Sequence, residues 1–159
     1  MTIIGFHLLA LRLSSKKPPI DLSLPPLCQF RSSKAYLWAI VRERLNLFQT
    51  AVDRPLNVLD AACHALITRD MFPPRTQYYG VDIAFSRLEK AFSVKRTDDI
   101  LLYGDLCKPL PFTSFFNCIT SLNTLSHLPS NIHLSVLRSL LSTLAPSGNF
   151  ILNCSLDSS

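Results

Sequence analysis

The five cysteines, Cys28, Cys63, Cys107, Cys118 and Cys154, include no C-x-x-C pair, and their number is odd. That argues against a disulfide framework and against a zinc knuckle. Reduced thiols fit a cytoplasmic compartment, and Cys118 and Cys154 fall in apolar segments where a buried thiol is expected. No apolar run is long enough to cross a bilayer: Ile3 to Leu11 is nine residues. No positive charge precedes that run, so it makes a poor secretory signal. The chain has no Walker loop, no Ser-His-Asp arrangement and no histidine pair at metal-ligand spacing. It has no internal repeat. It also lacks a core patch of basic residues interleaved with aromatics, so a nucleic-acid partner is not supported.

What is present is one domain's worth of chain. The 159 residues are nearly half hydrophobic, at 48%, enough for one core and too many for general disorder. The net charge of +5 is uneven. Residues 1–44 hold seven Lys/Arg and two acids, whereas residues 45–159 hold nine of each sign. The basic excess therefore belongs to the N-terminal part, which would suit an acidic partner or anionic membrane surface, or be a solvated leader. Arg12, Lys16, Lys17 and several serines, with no acid before Asp21, are weakly compatible with an organelle transit peptide. An additional strand or a frayed end is the plainer alternative. Pro18, Pro19, Pro25 and Pro26 make a stiff connection. The division expected is a basic, proline-containing segment over 1–30 and a folded domain over 31–159.

Ser32-Ser33 would cap a helix running to about Gln49, with Trp38, Val41, Leu45 and Phe48 at helical spacing. That stripe reads as core packing or as a lid over a ligand crevice. Three apolar runs then end in an acid: Leu56-Asn57-Val58-Leu59-Asp60, Tyr78-Tyr79-Gly80-Val81-Asp82 and Ile100-Leu101-Leu102-Tyr103-Gly104-Asp105. Further strands are expected over Phe115–Leu122 and Asn149–Cys154, with Pro146-Ser147-Gly148 as a turn between helix and strand. Helices are expected from about His64 to Asp70, from Arg87 to about Val94 with Ser86 and Glu89 as a capping box, and from Asn131 to Leu144 capped by Ser130. Strands alternating with helices predict a Rossmann-like, doubly wound, mainly parallel α/β sheet of about five strands, with helices on both faces. Ligands bind such sheets beyond the carboxyl ends of the strands. Asp82, 22 residues after Asp60, is placed to hold both hydroxyls of a ribose. Asp105 would accept from an exocyclic amine, and Asp60 from an amine or a loop amide. Each acid alone is equally well a turn former.

The ordered set Val58-Leu59-Asp60-Ala61-Ala62-Cys63-His64, Tyr79-Gly80-Val81-Asp82-Ile83, Gly104-Asp105-Leu106, Leu110-Pro111-Phe112, Phe116 to Ser121, Leu125-Ser126-His127-Leu128 and Leu144-Ala145-Pro146-Ser147-Gly148 resembles a class I S-adenosylmethionine-dependent methyltransferase domain, of the group that methylates small molecules. The resemblance covers about residues 56–154. It implies S-adenosylmethionine as cofactor and a small-molecule acceptor. By it, Asp60 and its loop, Ala62 and His64 included, face the methionine part of the cofactor. Asp82 binds the ribose, Ile83 lines the adenine, Asp105 with Leu106 fixes the adenine edge, and Ser121 and Asn123 border the methionine and substrate side. His127 matches a position near the substrate mouth and is a candidate general base, or a plain loop residue. His64 would reach the cofactor carboxylate or have no chemistry. Cys63, at the start of the expected helix, would have a lowered thiol pKa or be structural.

The chain departs from that pattern. Ala62, His64 and Leu66 stand where the family's first loop carries glycines, which tolerate positive φ and close approach. Asn117 stands where an acid is usual. The family's antiparallel sixth and seventh strands have no counterpart after the fifth predicted strand, so an exposed edge is expected unless residues 1–30 or a partner cover it. A truncated or decayed domain, serving as an inactive binding or interaction module, is the second reading. A nicotinamide-dinucleotide domain is a third; it too needs the first-loop glycines.

Overall fold

In the computed structural model, described over residues 6–12 and 33–155 with side chains over 38–152, the apolar runs ended by acids do become parallel strands. The elements in chain order are β1 (Phe6–Arg12), α1 (Ser33–Thr50), β2 (Leu56–Ala61), β3 (Thr76–Asp82), α2 (Phe85–Val94), β4 (Ile100–Tyr103), β5 (Phe116–Leu122), α3 (His133–Thr143) and β6 (Leu144–Ser155). They form one sheet of order β1-β6-β5-β2-β3-β4. β2, β3, β4, β5 and β6 are mutually parallel, whereas β1 runs antiparallel along β6, from Phe6 opposite Ser155 to Arg12 opposite Asn149.

Strand alternation divides the core in two. Val58, Tyr78, Cys118 and Ile151 face Val41 and Leu45 of α1 and Leu88 and Ala91 of α2. Leu59, Ile119 and Phe150, next to three of them in the chain, face Val136 and Leu140 of α3 together with Val81. Helices thus cover both faces, as the alternating pattern requires. On the α3 face Phe112 stacks on Phe115 at 5.3 Å and meets Phe116 and Tyr79 edge-on at 4.9 and 5.8 Å. This cluster pins the Pro109-Leu110-Pro111-Phe112 segment to the sheet, where two prolines forbid a strand or helix.

Several local expectations give way. Residues 64–70 form no α-helix; turns lead to a single 3-10 turn at Arg69–Met71. His64 and Leu66 lie at φ 54° and 61°, which a right-handed helix excludes. The Ser86/Glu89 capping box does not form, because α2 begins two residues earlier with Ala84 at its cap. Asp82 Oδ1 accepts the Ala84 amide instead, at 2.8 Å. α3 starts two residues late, after a 3-10 turn at Ser130–Ile132, and Ser130 makes no side-chain cap. The Pro146-Ser147-Gly148 turn is absorbed into β6 as an irregularity. Leu144 pairs with Phe116 and Asn149 with Cys118, so five positions of β6 advance against two of β5. Ser147, at φ 65°, lies within this irregularity.

The edge next to β6 is covered, by β1 from within residues 1–30. The sheet therefore has six strands rather than five, and the antiparallel strand comes from the beginning of the chain. Asp105 lies just past β4 rather than at its last position. Ser32 and the proline-rich connection lie outside the described residues.

Candidate functional site

The carboxyl ends of β2, β3, β4 and β5 border a cavity of about 740 Å³. Asp60, Asp82 and Asp105 all line it, together with Ala62, His64, Ile83, Leu106, Asn123 and His127. Of the site residues expected from the sequence, Ser121 alone stands behind the wall, fully buried, its hydroxyl without a partner among the described atoms. Trp38, from α1, also reaches the cavity, while Val41, Leu45 and Phe48 of the same stripe pack in the core.

The loop after β2 is built on long-range hydrogen bonds. The Cys63 amide donates to Val81 O at 3.0 Å, and the His64 amide to Asp82 Oδ2 at 2.9 Å. Cys63 packs over Gly80, where a Cβ would come within 2.8 Å of the Cys63 sulfur. Only glycine at 80 lets the loop lie so close to β3. Between these anchors Ala62, His64 and Leu66 all take positive φ: 67°, 54° and 61°. The three positions that carry glycine in the resembled family thus keep the left-handed backbone glycine favours, with side chains present. For non-glycine residues that conformation costs about 1–2 kcal/mol each. Leu66 offsets part of it by burying its side chain in the core. Asn123, after β5, has φ 57° and also turns into the cavity.

The three acids differ. Asp60 is buried and accepts three hydroxyls: Thr68 and Tyr78 on Oδ2, both at 2.7 Å, and Thr120 on Oδ1 at 3.1 Å. Burial pushes its carboxyl above the usual range, against the pull of those hydroxyls. Asp82, also buried, spends one oxygen on the His64 amide and the other on the Ala84 amide, and Arg87 stands 4.0 Å from it. Each of its oxygens keeps a second acceptor site. Asp105 is half-buried at the cavity wall. It accepts the Cys107 amide at 2.9 Å, and hydrogen bonds from Cys107 hold its carboxyl below the usual range.

Sequence reasoning missed Thr68, Tyr78 and Thr120, and what stands behind them. Arg69 and Asp99 form a buried ion pair at 2.8–2.9 Å, and the Arg69 guanidinium lies 4.8 Å from the centre of the Tyr78 ring. Thr120 could have been noticed as a polar residue in an apolar strand, and it pairs in register with Asp60. The register itself is not written in the sequence. Cys63 corrects an expectation: no helix starts there, and burial with the nearby Asp60 and Asp82 charges raises its thiol pKa rather than lowering it. Burial also pushes Cys118 up to about 12. Among the described residues no three His, Cys, Asp or Glu side chains cluster to hold a metal, and no helix is long and apolar enough to cross a membrane.

Neither a scan of protein-family models nor a search of curated proteins gives a match. Solved structures do match. An S-adenosylmethionine dependent methyltransferase from Mesorhizobium loti superposes with a TM-score of 0.51 at 19% identity, over 66% of this chain and 50% of that one. The S-adenosylmethionine-bound amino pentose methyltransferase CalS10 from Micromonospora echinaspora gives 0.59 at 18%, over 72% and 49%. The [4+2]-cyclase SpnF gives 0.60 at 20%, over 76% and 46%. The fold is that of class I S-adenosylmethionine-dependent methyltransferases. The chain spans about half the length of the structures it matches. A cyclase among them is a reminder that the reaction is argued from the site and not from the fold.

Proposed function

We propose that this domain binds S-adenosylmethionine in the cavity and transfers its methyl group to a small-molecule acceptor. The observation that carries the reading is the loop after β2. Without a single glycine at the three special positions, it keeps the backbone path that leaves room for a ligand against the strand ends. A loop free to drift would shed the cost of three left-handed residues. This one is held instead, by Val81 O, by Asp82 and by Asp60 through Thr68.

The residues suit the cofactor. Asp82 would take the ribose hydroxyls with its spare acceptor sites, and the exposed Ile83 side chain would lie on the adenine face. Asp105 and the Leu106 backbone would meet the adenine edge. The amides and side chains around Ala62, His64 and Asn123 would face the amino-acid end. Asp60 would act through the loop it anchors, since its oxygens already accept three hydroxyls. S-adenosylmethionine supplies an activated methyl on a sulfonium. What is left to the protein is alignment and exclusion of water, and His127, which lines the cavity, would take a proton from the acceptor.

The test is thermal unfolding with S-adenosylhomocysteine. At a hundred times its dissociation constant the ligand adds about 2.7 kcal/mol of stability. Ile83→Asp, at an exposed position, should leave the unliganded protein as stable and remove the shift. No shift at millimolar ligand would overturn the reading. A shift with NADH instead would favour a dinucleotide site.

A further inference from the structure

The cavity is chemically divided, and the strand order divides it. β3 and β4 lie on one side of β2, and β5 lies on the other. The β3–β4 side carries Asp82, Asp105 and Arg87. Asp60, at β2 itself, is turned into its three hydroxyls. The β5 side presents Leu122, Leu128, Pro129 and Ile132, and no Asp, Glu, Lys or Arg lines it among the described residues. Thr124 lies there too, but its hydroxyl is spent on Ala61 O at 3.1 Å. The titratable group on that side, His127, sits on the exposed rim.

We propose that the β5 side receives the methyl acceptor and that the acceptor is an uncharged small molecule with an apolar body and a neutral nucleophile such as a hydroxyl. This rests on the methyl-transfer reading and narrows its substrate class. A carboxylate or ammonium head lodged against Leu128 and Ile132 would lose water and gain no counter-charge, a penalty a neutral head avoids. Apolar surface shared with those side chains supplies the affinity. In the transfer, the hydroxyl oxygen forms a bond to the methyl carbon as the carbon–sulfur bond breaks. The sulfur keeps that electron pair, and the hydroxyl proton passes to His127 or to water.

Trp38 is the only tryptophan in the chain and lines the cavity, so its fluorescence reports occupancy directly. Three probes share one skeleton: 3-phenylpropan-1-ol, 3-phenylpropanoate and 3-phenylpropylammonium. Each is titrated with and without saturating S-adenosylhomocysteine. The alcohol should bind at least about tenfold more tightly than either ion. Ile132→Lys should weaken the alcohol about tenfold and bring the carboxylate ahead of it, while S-adenosylhomocysteine binding is unchanged. Equal binding of the three, binding of none, or an Ile132→Lys variant that still prefers the alcohol would overturn the assignment. If S-adenosylhomocysteine fails to bind while the alcohol keeps its preference, the cofactor reading falls and the neutral character of this side stands. If S-adenosylhomocysteine binds and the three probes do not differ, the reverse holds.

Discussion

β2 carries an aspartate near its end and β4 is followed by one two residues on, yet Asp60 and Asp105 do opposite work. Asp60 is buried, gripped by Thr68, Tyr78 and Thr120, and raised in pKa by loss of water. Asp105 is half-buried, holds one backbone amide, and is lowered in pKa by that amide and the neighbouring thiol. A carboxylate saturated by its own protein supports a site. A carboxylate with spare acceptor capacity facing a cavity is available to a ligand. The difference lies in strand order: β2 is central, between β5 and β3, so three elements can close on its tip, whereas β4 is at the edge.

The largest effect should come from the buried tip. Asp60→Ala leaves the buried Thr68 and Tyr78 hydroxyls without an acceptor, leaves Thr120 only Leu59 O at 3.4 Å, and removes the tie that Thr68 gives the loop. Unfolding by denaturant should show a loss of roughly 3 kcal/mol or more. A loss under about 0.5 kcal/mol would mean that the grip is incidental. The pH dependence sharpens the contrast. A folded carboxyl with a raised pKa holds its proton more tightly than the unfolded chain does. Its contribution to stability therefore falls as pH rises from about 3.8 through the folded pKa. The stability of wild type relative to Asp60→Asn should decline over that window. Asp105, with a lowered pKa, contributes in the opposite sense: its share is present above the unfolded value and fades as pH falls through the folded one.

The loop between the tips gives the next effect. Ala62→Gly relieves a left-handed alanine and should stabilise by up to about 1 kcal/mol, once the extra freedom of glycine in the unfolded chain is set against it. Leu66→Gly relieves the same strain but empties a core position, and should destabilise by roughly 2 kcal/mol or more. A pair of variants that shift the thermal midpoint in the same direction would contradict the account of this loop.

At the β4 end, Asp105→Asn should leave the denaturation midpoint in place and weaken S-adenosylhomocysteine about tenfold, through loss of a charged acceptor. If Asp105→Asn unfolds the protein, or leaves affinity untouched, the division between supporting and ligand-facing acids is wrong.

How much of this could be read from the chain depends on how far apart the interacting residues are. The parallel strands, the helices on both faces and the convergence of Asp60, Asp82 and Asp105 follow from apolar runs that each end in an acid. The helix of α1 follows from Trp38, Val41, Leu45 and Phe48. The loop was not legible. Ala62, His64 and Leu66 say helix or open turn by local preference, and the backbone they adopt is imposed by Val81 O and Asp82, some 18 residues away. Local capping rules misled at Ser86 for a similar reason, because Asp82 at the end of β3 takes the Ala84 amide first. The strand that closes the β6 edge could be named only as an alternative, since antiparallel pairing of Phe6–Arg12 with the far end of the chain leaves no short-range mark.

The central claim, that the strand tips enclose an adenosyl ligand, is tested most directly by calorimetric titration of S-adenosylhomocysteine into the wild-type protein and Ile83→Asp. The account predicts one site per chain in the wild type and at least about tenfold weaker binding when a charge replaces the apolar side chain facing the adenine. No heat of binding in the wild type, or equal affinity in both proteins, would contradict it.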